Sequence, residues 1–240
     1  MSATPELAIV LPVYNEGQAV ESVLRALSAG VATAHELVVV YDFGEDTTVP
    51  VIARLASEIP GLRGLRNDLG RGVLNAMKAG ISGTSAPFVL ISMADGSDEP
   101  GVVDSMVELA RGGADVVAAS RYMRGGRQVG GPPLKRLMSR TAGLTLHWFA
   151  GVPTHDPTNN FKLYSRRFLE SVTIESTAGF ELALELTVKA TIADLRIAEV
   201  ATIWRDRTAG QSHFKLRRWL PHYLHWYTRA LRARWLPHRR

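Results

Sequence analysis

Short runs of apolar residues recur through the first half of the chain and alternate with segments of helical periodicity. The clearest runs are LAIVLPV at 7–13, ELVVVY at 36–41, FVLI at 88–91 and DVVAAS at 115–120. Continuous apolar strands are typical of parallel sheets that are covered on both faces, and strands that alternate with helices form βαβ units. The alternation therefore predicts an α/β fold in which helices flank a mostly parallel central sheet.

Composition narrows the class of protein further. The chain has 240 residues, 46% of them hydrophobic, no cysteine and a formal net charge of +5. Without cysteine there is no disulfide framework and no thiol chemistry. The first residues lack the basic region and long apolar core of a signal peptide, and no stretch approaches the roughly 18 apolar residues of a spanning helix. We expect a cytoplasmic protein without a transmembrane segment, which could lie peripherally on the cytoplasmic face of the membrane.

Acidic side chains follow several of the predicted strands. Glu16 follows the first strand, Asp42 and Asp46 follow the second, and Asp95 follows FVLI. Because right-handed crossovers bring the carboxyl ends of parallel strands to one edge, we expect these carboxylates to lie close together, where open α/β sheets bind ligands. Carboxylates suit the hydroxyls of a nucleotide and a hard divalent cation, with phosphate oxygens completing the metal's shell.

The acidic stretch MADGSDEP at 93–100 also has a purely structural interpretation. Ser97 or Asp98 could cap a helix that begins near Pro100, since short polar side chains accept hydrogen bonds from the first turn of a helix. Taken alone, the stretch does not decide between a capping turn and a ligand site.

Basic residues follow the acidic stretch. A loop and the start of the next predicted helix contain Arg121, Arg124, Arg127, Arg136 and Arg140. These arginines could neutralise a diphosphate or form a solvated basic surface. The same helix has an apolar stripe made of Leu134, Leu137, Thr141, Leu144 and Trp148.

The carboxyl-terminal part of the chain is strongly basic. Residues 205–240 contain ten Lys or Arg and one acid, Asp206. We predict one domain over 1–213 and a basic amphipathic helix over 214–240, whose apolar stripe consists of Tyr223, Leu224, Tyr227 and Leu231. Such a helix suits an anionic membrane surface, although it could also pack on the sheet or at a homodimer interface. No nucleic-acid recognition motif is present, so no nucleic-acid partner is expected.

Several motifs, in the same order, resemble the inverting family 2 glycosyltransferases of the GT-A fold. They are LPVYNEG at 11–17, YDFGEDTT at 41–48, MADGSDEP at 93–100 and SRY at 120–122. Similarity to dolichyl-phosphate mannosyltransferases and related polyprenyl-phosphate sugar transferases comes from DPTNNFK at 156–162, FELALE at 180–185 and RDRTAGQSHF at 205–214. The resemblance implies a single GT-A, Rossmann-like domain that takes a sugar from a nucleotide-sugar donor.

The resemblance also implies roles for individual residues. The base and ribose of the nucleotide would be lined by Pro12, Tyr14, Glu16 and Asp42. Asp95 matches the second Asp of the family's D-x-D motif, which holds Mg²⁺ or Mn²⁺ on the donor diphosphate. The donor diphosphate and the acceptor phosphate would be contacted by Arg121, Arg136, Ser212 and His213.

Three positions depart from the family's pattern. Met93 replaces the first Asp of D-x-D, and the family's Asp-Asp-Gly-Ser is YDFG at 41–44, which bears on base preference. His213 replaces the Lys of a Ser-Lys pair and is a weaker, pH-dependent cation. Because Met93 cannot bind a hard cation, the predicted metal ligands are Asp95, Ser97 and Asp98.

The leading hypothesis is an inverting transfer of mannose or glucose from a GDP- or UDP-linked donor to a polyprenyl phosphate. A phosphate oxygen is already ionised at neutral pH, so the reaction would need only positioning and charge neutralisation, supplied by the cation held at Asp95 and by Arg121. A soluble sugar or natural-product acceptor is the alternative; a sugar hydroxyl would need a base, for which Asp156 is the candidate. A non-catalytic nucleotide-sugar-binding or membrane-binding protein is the third hypothesis, suggested by Met93.

Overall fold

The structure, a computed structural model, describes residues 5–206 and 216–236. The strands are β1 (Leu7–Pro12), β2 (His35–Tyr41), β3 (Leu62–Arg66), β4 (Phe88–Ile91), β5 (Val116–Ser120), β6 (Arg127–Val129), β7 (Lys162–Ser165), β8 (Ile197–Ala201) and β9 (Ile203–Arg205). The α-helices are α1 (Val20–Gly30), α2 (Val49–Leu55), α3 (Val73–Ser82), α4 (Val103–Arg111), α5 (Pro133–Ala150), α6 (Arg166–Ser171), α7 (Leu182–Ile192) and α8 (Leu216–Trp235). Short 3₁₀ helices at Gly17–Ala19 and Pro100–Val102 precede α1 and α4.

The central sheet has seven strands in the order β3-β2-β1-β4-β7-β5-β8. β1 pairs in parallel with β2 and β4, and β2 pairs in parallel with β3. β7 is inserted antiparallel between β4 and β5, while β8 at the far edge is parallel to β5. The predicted α/β fold with a mostly parallel sheet is confirmed, with one reversed strand in its middle.

The apolar runs form strands because helices cover both faces of the sheet. Every residue of β1 is buried. Ile9 packs among side chains of α1, α2 and α4, and Val10 packs among side chains of α3 and α7. The parallel registers that pair Val10 with both Val38 and Ile91 place the carboxyl ends of β1, β2 and β4 at the same edge.

The alternating stretch RIAEVATIW at 196–204 forms two strands, which are divided at Thr202. β8 stays in the central sheet, whereas β9 pairs in parallel with β6 in a separate two-stranded sheet. The Arg205 N–H donates to the Ser97 carbonyl at 3.1 Å, and the Ile203 N–H donates to a Glu99 carboxylate oxygen at 3.0 Å. The small sheet therefore supports the loop that follows β4.

α5, α7 and α8 pack around a small core that includes Leu146 and Trp226. α5 lies very close to the loop that follows it, since a β-carbon at Gly143 would overlap the His155 carbonyl. The buried side of α5 therefore consists of Gly143, Leu146 and Ala150. Its apolar stripe, noted in the sequence, lies on the outer face.

The helix predicted over 214–240 is described as α8 from Leu216 to Trp235, and it contains Pro221. Part of the stripe predicted to meet a membrane is turned inward, because Tyr223, Tyr227 and Leu231 pack against the core of this layer. Leu224 remains 49% exposed. Within the described part of the chain, no helix is both long and apolar enough to cross a membrane.

Candidate active site

The loops after β1 and β2 are tied together by a buried carboxylate. Asp46 is 1% exposed and accepts hydrogen bonds from the N–H groups of Asn15 at 2.9 Å and Thr48 at 2.8 Å. The Glu16 N–H donates to the Thr48 hydroxyl at 3.1 Å. Asp46 therefore shapes these loops, while the partly buried Glu16 stays at the end of β1 as the sequence predicted.

Asp42 directly follows β2 and is half-buried. One carboxylate oxygen accepts from the Asn67 side-chain amide at 2.7 Å, and the other accepts from the Gly72 N–H at 2.8 Å. Gly72 has a φ of 128°, a conformation that favours glycine. Asn67 was not identified from the sequence, although it follows β3 just as Asp42 follows β2, and the same strand-end rule would have found it.

Two aromatic side chains, Tyr14 and Phe43, lie in the loops that follow β1 and β2. Tyr14 is 55% exposed and meets Phe43 edge-on, with ring centroids 5.7 Å apart. The Arg71 guanidinium lies over the Phe43 ring, with its central carbon 4.9 Å from the ring centroid. Pro12 is buried at the end of β1. Exposed ring faces beside a guanidinium suit the planar base of a nucleotide, and Arg71 is a contributor that the sequence did not single out.

Asp95 lies in the loop after β4, here called the acid loop (residues 93–100). Its Oδ1 accepts from the Ser97 N–H at 3.1 Å and from the Ser97 hydroxyl at 2.6 Å. Ser97 is only 3% exposed. The hydroxyl of Ser97 therefore orients the Asp95 carboxylate, and β9 supports the backbone behind it.

Asp98 supplies a second carboxylate in the acid loop. Its Oδ2 accepts from the Met93 N–H at 3.2 Å and from the Ser92 hydroxyl at 3.3 Å. Burial, and then the neighbouring charge of Asp95, raise the pKa of Asp98 to about 7. Neither the 3₁₀ turn nor α4 has a side-chain cap, so the capping interpretation of Ser97 and Asp98 is wrong.

The acid loop has the charge that a divalent cation would neutralise. A carboxyl whose pKa is raised by burial and a second carboxylate marks a local excess of negative charge. Among the described residues, no cluster of three or more His, Cys, Asp or Glu could hold a metal ion by itself. Asp95 and Asp98 therefore fit a cation that completes its shell with phosphate oxygens.

Arg121 and Asp156 form a buried, bidentate ion pair. Nε of Arg121 lies 2.7 Å from Oδ2 of Asp156, Nη2 lies 2.9 Å from Oδ1, and the Arg121 N–H donates to Oδ2 at 3.0 Å. Burial alone would lower the pKa of Arg121 and raise that of Asp156, but the pairing outweighs burial and shifts both pKa values the other way. Arg121 also interacts with the charge of Asp98, so the pair adjoins the acid loop.

This pairing bears on the predicted base. Asp156 is fully buried, both of its carboxylate oxygens accept from Arg121, and its pKa is lowered. A general base must be free to take a proton from the acceptor. Asp156 is instead arranged to hold Arg121 in place.

The loop that carries Asp156 rests on a buried lysine. Lys162 of β7 is fully buried, and its Nζ donates to the carbonyls of Asp156, at 2.9 Å, and Asn159. Burial lowers the pKa of Lys162 to about 7. The sequence signal for this role is weak, because Lys162 is the first residue of the short strand KLYS and follows a mostly polar loop.

Glu199 of β8 holds the same loop from the side. One oxygen accepts from the Thr154 hydroxyl and the His155 N–H, both at 2.9 Å, and the other lies 2.6 Å from His155 Nδ1. The Thr154 hydroxyl in turn accepts from the Asp156 N–H at 3.1 Å. Glu199 was also missed, because an acid in a half-exposed strand looks like an ordinary surface residue.

An open cavity of about 360 Å³ lies between the loop after β6 and the start of α5. Its lining consists of Gly130, Gly131, Pro133, Arg136, Leu137 and Arg140. Tyr122 connects it to Arg121, whose guanidinium carbon is 5.0 Å from the Tyr122 ring centroid, and the Tyr122 hydroxyl meets that of Ser139 at 2.5 Å. Two exposed arginines beside an exposed Leu137 could hold a phosphate that carries an apolar group.

The structure thus collects most of the predicted site residues at one edge of the sheet. Tyr14, Glu16, Asp42 and Asp95 follow neighbouring parallel strands, and Arg121 adjoins Asp98. Ser212 and His213 lie outside the described residues, so their predicted contacts with phosphate stay predictions.

Curated relatives share much of the chain at low identity. A dolichol-phosphate mannosyltransferase of Pyrococcus furiosus is 24% identical over 215 residues, covering 88% of this chain and 59% of the relative. A polyprenol monophosphomannose synthase of Mycolicibacterium smegmatis is 26% identical, covering 87% and 81%. A dolichyl-phosphate hexose transferase of Haloferax volcanii is 29% identical, covering 86% of each chain. The chain thus spans about three fifths of the length of the first relative and more of the others.

Among solved structures, glucosyl-3-phosphoglycerate synthase from Mycobacterium tuberculosis, in complex with Mn²⁺, UDP and glucosyl-3-phosphoglycerate, superposes with a TM-score of 0.66. The identity is 21%, over 96% of this chain and 80% of that one. This likeness supports the GT-A fold. The family described as Glycosyl transferase family 2 matches residues 8–173, well over half of the sequence. The chain therefore belongs to glycosyltransferase family 2.

Proposed function

We propose that the protein is an inverting glycosyltransferase that moves mannose or glucose from a GDP- or UDP-linked donor to a polyprenyl phosphate. One observation carries the proposal. Arg121 interacts with Asp98 of the acid loop on one side, and through Tyr122 it adjoins the cavity beside α5 on the other. The acid loop suits a metal-bound diphosphate, and the cavity suits a phosphate with an apolar chain. Relatives named for transfer to dolichyl or polyprenyl phosphate agree with this assignment.

The donor diphosphate would bind Mg²⁺ or Mn²⁺. Asp95 and Asp98 would hold the cation, and Ser97 would orient Asp95 through its hydroxyl. When bound, the cation supplies neutralisation of the charge on the departing diphosphate. The Asp98 proton would have to leave first, because its pKa is raised to about 7.

The transfer itself requires no general base when the acceptor is a phosphate. An acceptor phosphate oxygen forms the bond to the anomeric carbon while the bond from that carbon to the diphosphate oxygen breaks. The nucleoside diphosphate leaves with the electron pair, and the configuration inverts. Arg121, fixed by Asp156, would stabilise negative charge near the diphosphate without reorganising during the reaction.

A small phosphorylated acceptor is the second candidate, because the two arginines of the cavity would also bind its phosphate. Attack by a sugar hydroxyl would need a base, and Asp156 is engaged by Arg121 on both oxygens. A polyprenyl phosphate needs no base and also uses Leu137, which is 63% exposed. The lipid acceptor is therefore placed first.

The test is a transfer assay with purified protein, labelled GDP-mannose or UDP-glucose and detergent-dispersed polyprenyl phosphate. We expect an organic-extractable product that is lost when the divalent metal is removed. The Arg136→Gln/Arg140→Gln variant should raise the acceptor KM about tenfold or more while leaving the donor KM unchanged, since each charged hydrogen bond to a phosphate contributes about 1.5–3 kcal/mol.

The matched control is Arg54→Gln, which removes an exposed arginine from α2, away from the sheet edge. Its acceptor KM should match that of the wild type. Absence of lipid-linked product with either donor, together with transfer to a soluble phosphorylated acceptor, would favour the second candidate.

A further inference from the structure

An exposed apolar surface covers the outer side of two neighbouring helices. Among the described residues, eight of the twelve exposed large apolar side chains belong to α5, to α8 or to the residue after α8. They define the α5–α8 face: Leu134, Leu137, Trp148, Phe149, Leu220, Leu224, Trp235 and Leu236. Clustered exposure of this kind marks an interaction surface, whereas single exposed apolar residues do not.

The two helices hold each other in place. The Tyr227 hydroxyl of α8 donates to the Thr145 hydroxyl of α5 at 2.9 Å, and the Trp235 indole N–H donates to the Phe149 carbonyl at 2.7 Å. Trp226 and Ala230 of α8 are buried in the shared core. The exposed side chains therefore project from a packed surface whose backbone is already ordered.

The α5–α8 face is basic, which favours an anionic partner. Neither α5 nor α8 contains an Asp or Glu, and the exposed basic residues include Arg136, Arg140, Arg232 and Arg234. A two-fold contact between two copies would place these arginines against one another. A surface of Trp, Leu and Arg side chains instead matches the interface of an anionic bilayer, where indole rings occupy the headgroup level.

We propose that the α5–α8 face is the surface by which the protein docks on an anionic lipid bilayer. This differs from the stripe predicted on the carboxyl-terminal helix, because Tyr223, Tyr227 and Leu231 are used to hold α8 against the protein. α5 contributes four of the exposed apolar side chains, and α8 with the residue after it contributes the other four.

The inference rests on the proposed function at one point, the position of the acceptor cavity. Arg136, Leu137 and Arg140 line that cavity and belong to α5. Docking through this helix would bring the cavity to the bilayer surface, where the phosphate of a polyprenyl lipid resides. The acceptor could then reach the site without leaving the membrane.

The test is flotation of the full chain with vesicles of phosphatidylcholine alone or with phosphatidylglycerol added. We expect binding to the anionic vesicles that weakens with salt. The Leu134→Ser/Trp148→Ser variant should lower the partition coefficient about tenfold or more, because two apolar side chains no longer enter the interface. The matched control, Ile192→Ser, removes an exposed apolar residue from the end of α7 and should bind like the wild type.

Unchanged flotation of the double variant, or no flotation of the wild type, would overturn the proposal. Concentration-dependent dimerisation that the double variant abolishes would overturn it in favour of a second copy. Thermal unfolding of both variants confirms that they are folded. A transfer assay with a short-chain isoprenyl phosphate, which needs no bilayer, tests the proposed function separately from the docking surface. If the wild-type protein transfers no sugar to it, the proposed function is contradicted. The flotation result tests the docking surface by itself.

Discussion

The acid loop and the Arg121–Asp156 pair lie at the same edge of the sheet but differ in how their charges are balanced. In the acid loop, burial and the charge of Asp95 raise the pKa of Asp98 to about 7. In the neighbouring cluster, Arg121 and Asp156 are matched in a bidentate pair. Under the proposed function the acid loop would receive a cation, whereas the bidentate pairing of Arg121 and Asp156 fixes the geometry of the neighbouring cluster. Mutations should therefore separate binding from stability.

The largest expected effect is on the paired cluster. Asp156→Ala would leave the Arg121 guanidinium buried without its partner, so we expect a loss of about 3–5 kcal/mol in the free energy of unfolding. Urea denaturation followed by circular dichroism measures it. Glu58→Ala, which removes one of the two acidic partners of the exposed Arg25, is the control and should change stability little. A small effect of Asp156→Ala would break the proposed distinction between the two groups.

The acid loop should show the reverse pattern. Asp95→Asn removes a proposed metal ligand, so we expect transfer to fall about 100-fold or more, on the scale of losing one strong electrostatic contact to the transition state. The free energy of unfolding should hardly change. Metal-dependent binding of a nucleoside diphosphate, followed by thermal shift, checks the cause. Full metal-dependent binding by Asp95→Asn would contradict the assignment.

The pH dependence of stability sharpens the comparison. The pKa of Asp98 is raised from 3.8 to about 7, so between these values the folded protein retains a proton that the unfolded chain has released. The contribution of Asp98 to the free energy of unfolding should therefore fall as pH rises from about 4 to about 7. Asp98→Asn removes this dependence and should be more stable than the wild type at pH 8 by about 1–3 kcal/mol.

Urea unfolding of both proteins at pH 4.5, 6 and 8 provides the measurement. The difference between the two proteins should shrink as pH falls from 8 to 4.5, towards the range below about pH 4 in which the wild-type carboxyl is protonated in both states. A constant difference at all three pH values would show that the mutation acts through packing rather than charge.

The smallest expected effect is a fall in kcat when Glu199, which holds the loop that carries Asp156, is changed. Glu199→Gln weakens the contacts that hold Thr154 and His155, so the loop carrying Asp156 should be less well positioned. We expect kcat to fall about threefold to tenfold, corresponding to roughly one weakened hydrogen bond, with the donor KM unchanged. The exposed Glu108→Gln is the matched control. An increase in donor KM without a change in kcat would place Glu199 in donor binding instead.

Much of the fold was predictable because its signals are local. The apolar runs encode strands that are covered on both faces, and the chirality of the crossovers brings Asp42 and Asp95 to one edge. Family motifs added Arg121 and Tyr14 by resemblance. These parts required no knowledge of which distant residues pack together.

The roles within the site were less predictable because they depend on partners far apart in sequence. Asp156 pairs with Arg121, 35 residues away, a contact that the sequence does not reveal and that occupies both carboxylate oxygens of the candidate base. Ser97 and Asp98 are adjacent in sequence, yet one orients Asp95 and the other presents a carboxyl of raised pKa. Spacing alone does not reveal which side chain becomes buried.

The sequence by itself determined the alternation of strands and helices, the acidic strand ends and the basic, acid-free composition of α5 and α8. Only the tertiary structure decided the reversed β7, the pairing of Arg121 with Asp156 and the face of α5 that is buried. Helical periodicity shows that an apolar stripe exists but not whether it faces inward. On α5 the close approach at Gly143 and the packing of α8 turn that stripe outward, because burial is settled by the contacts that a helix makes with the rest of the protein.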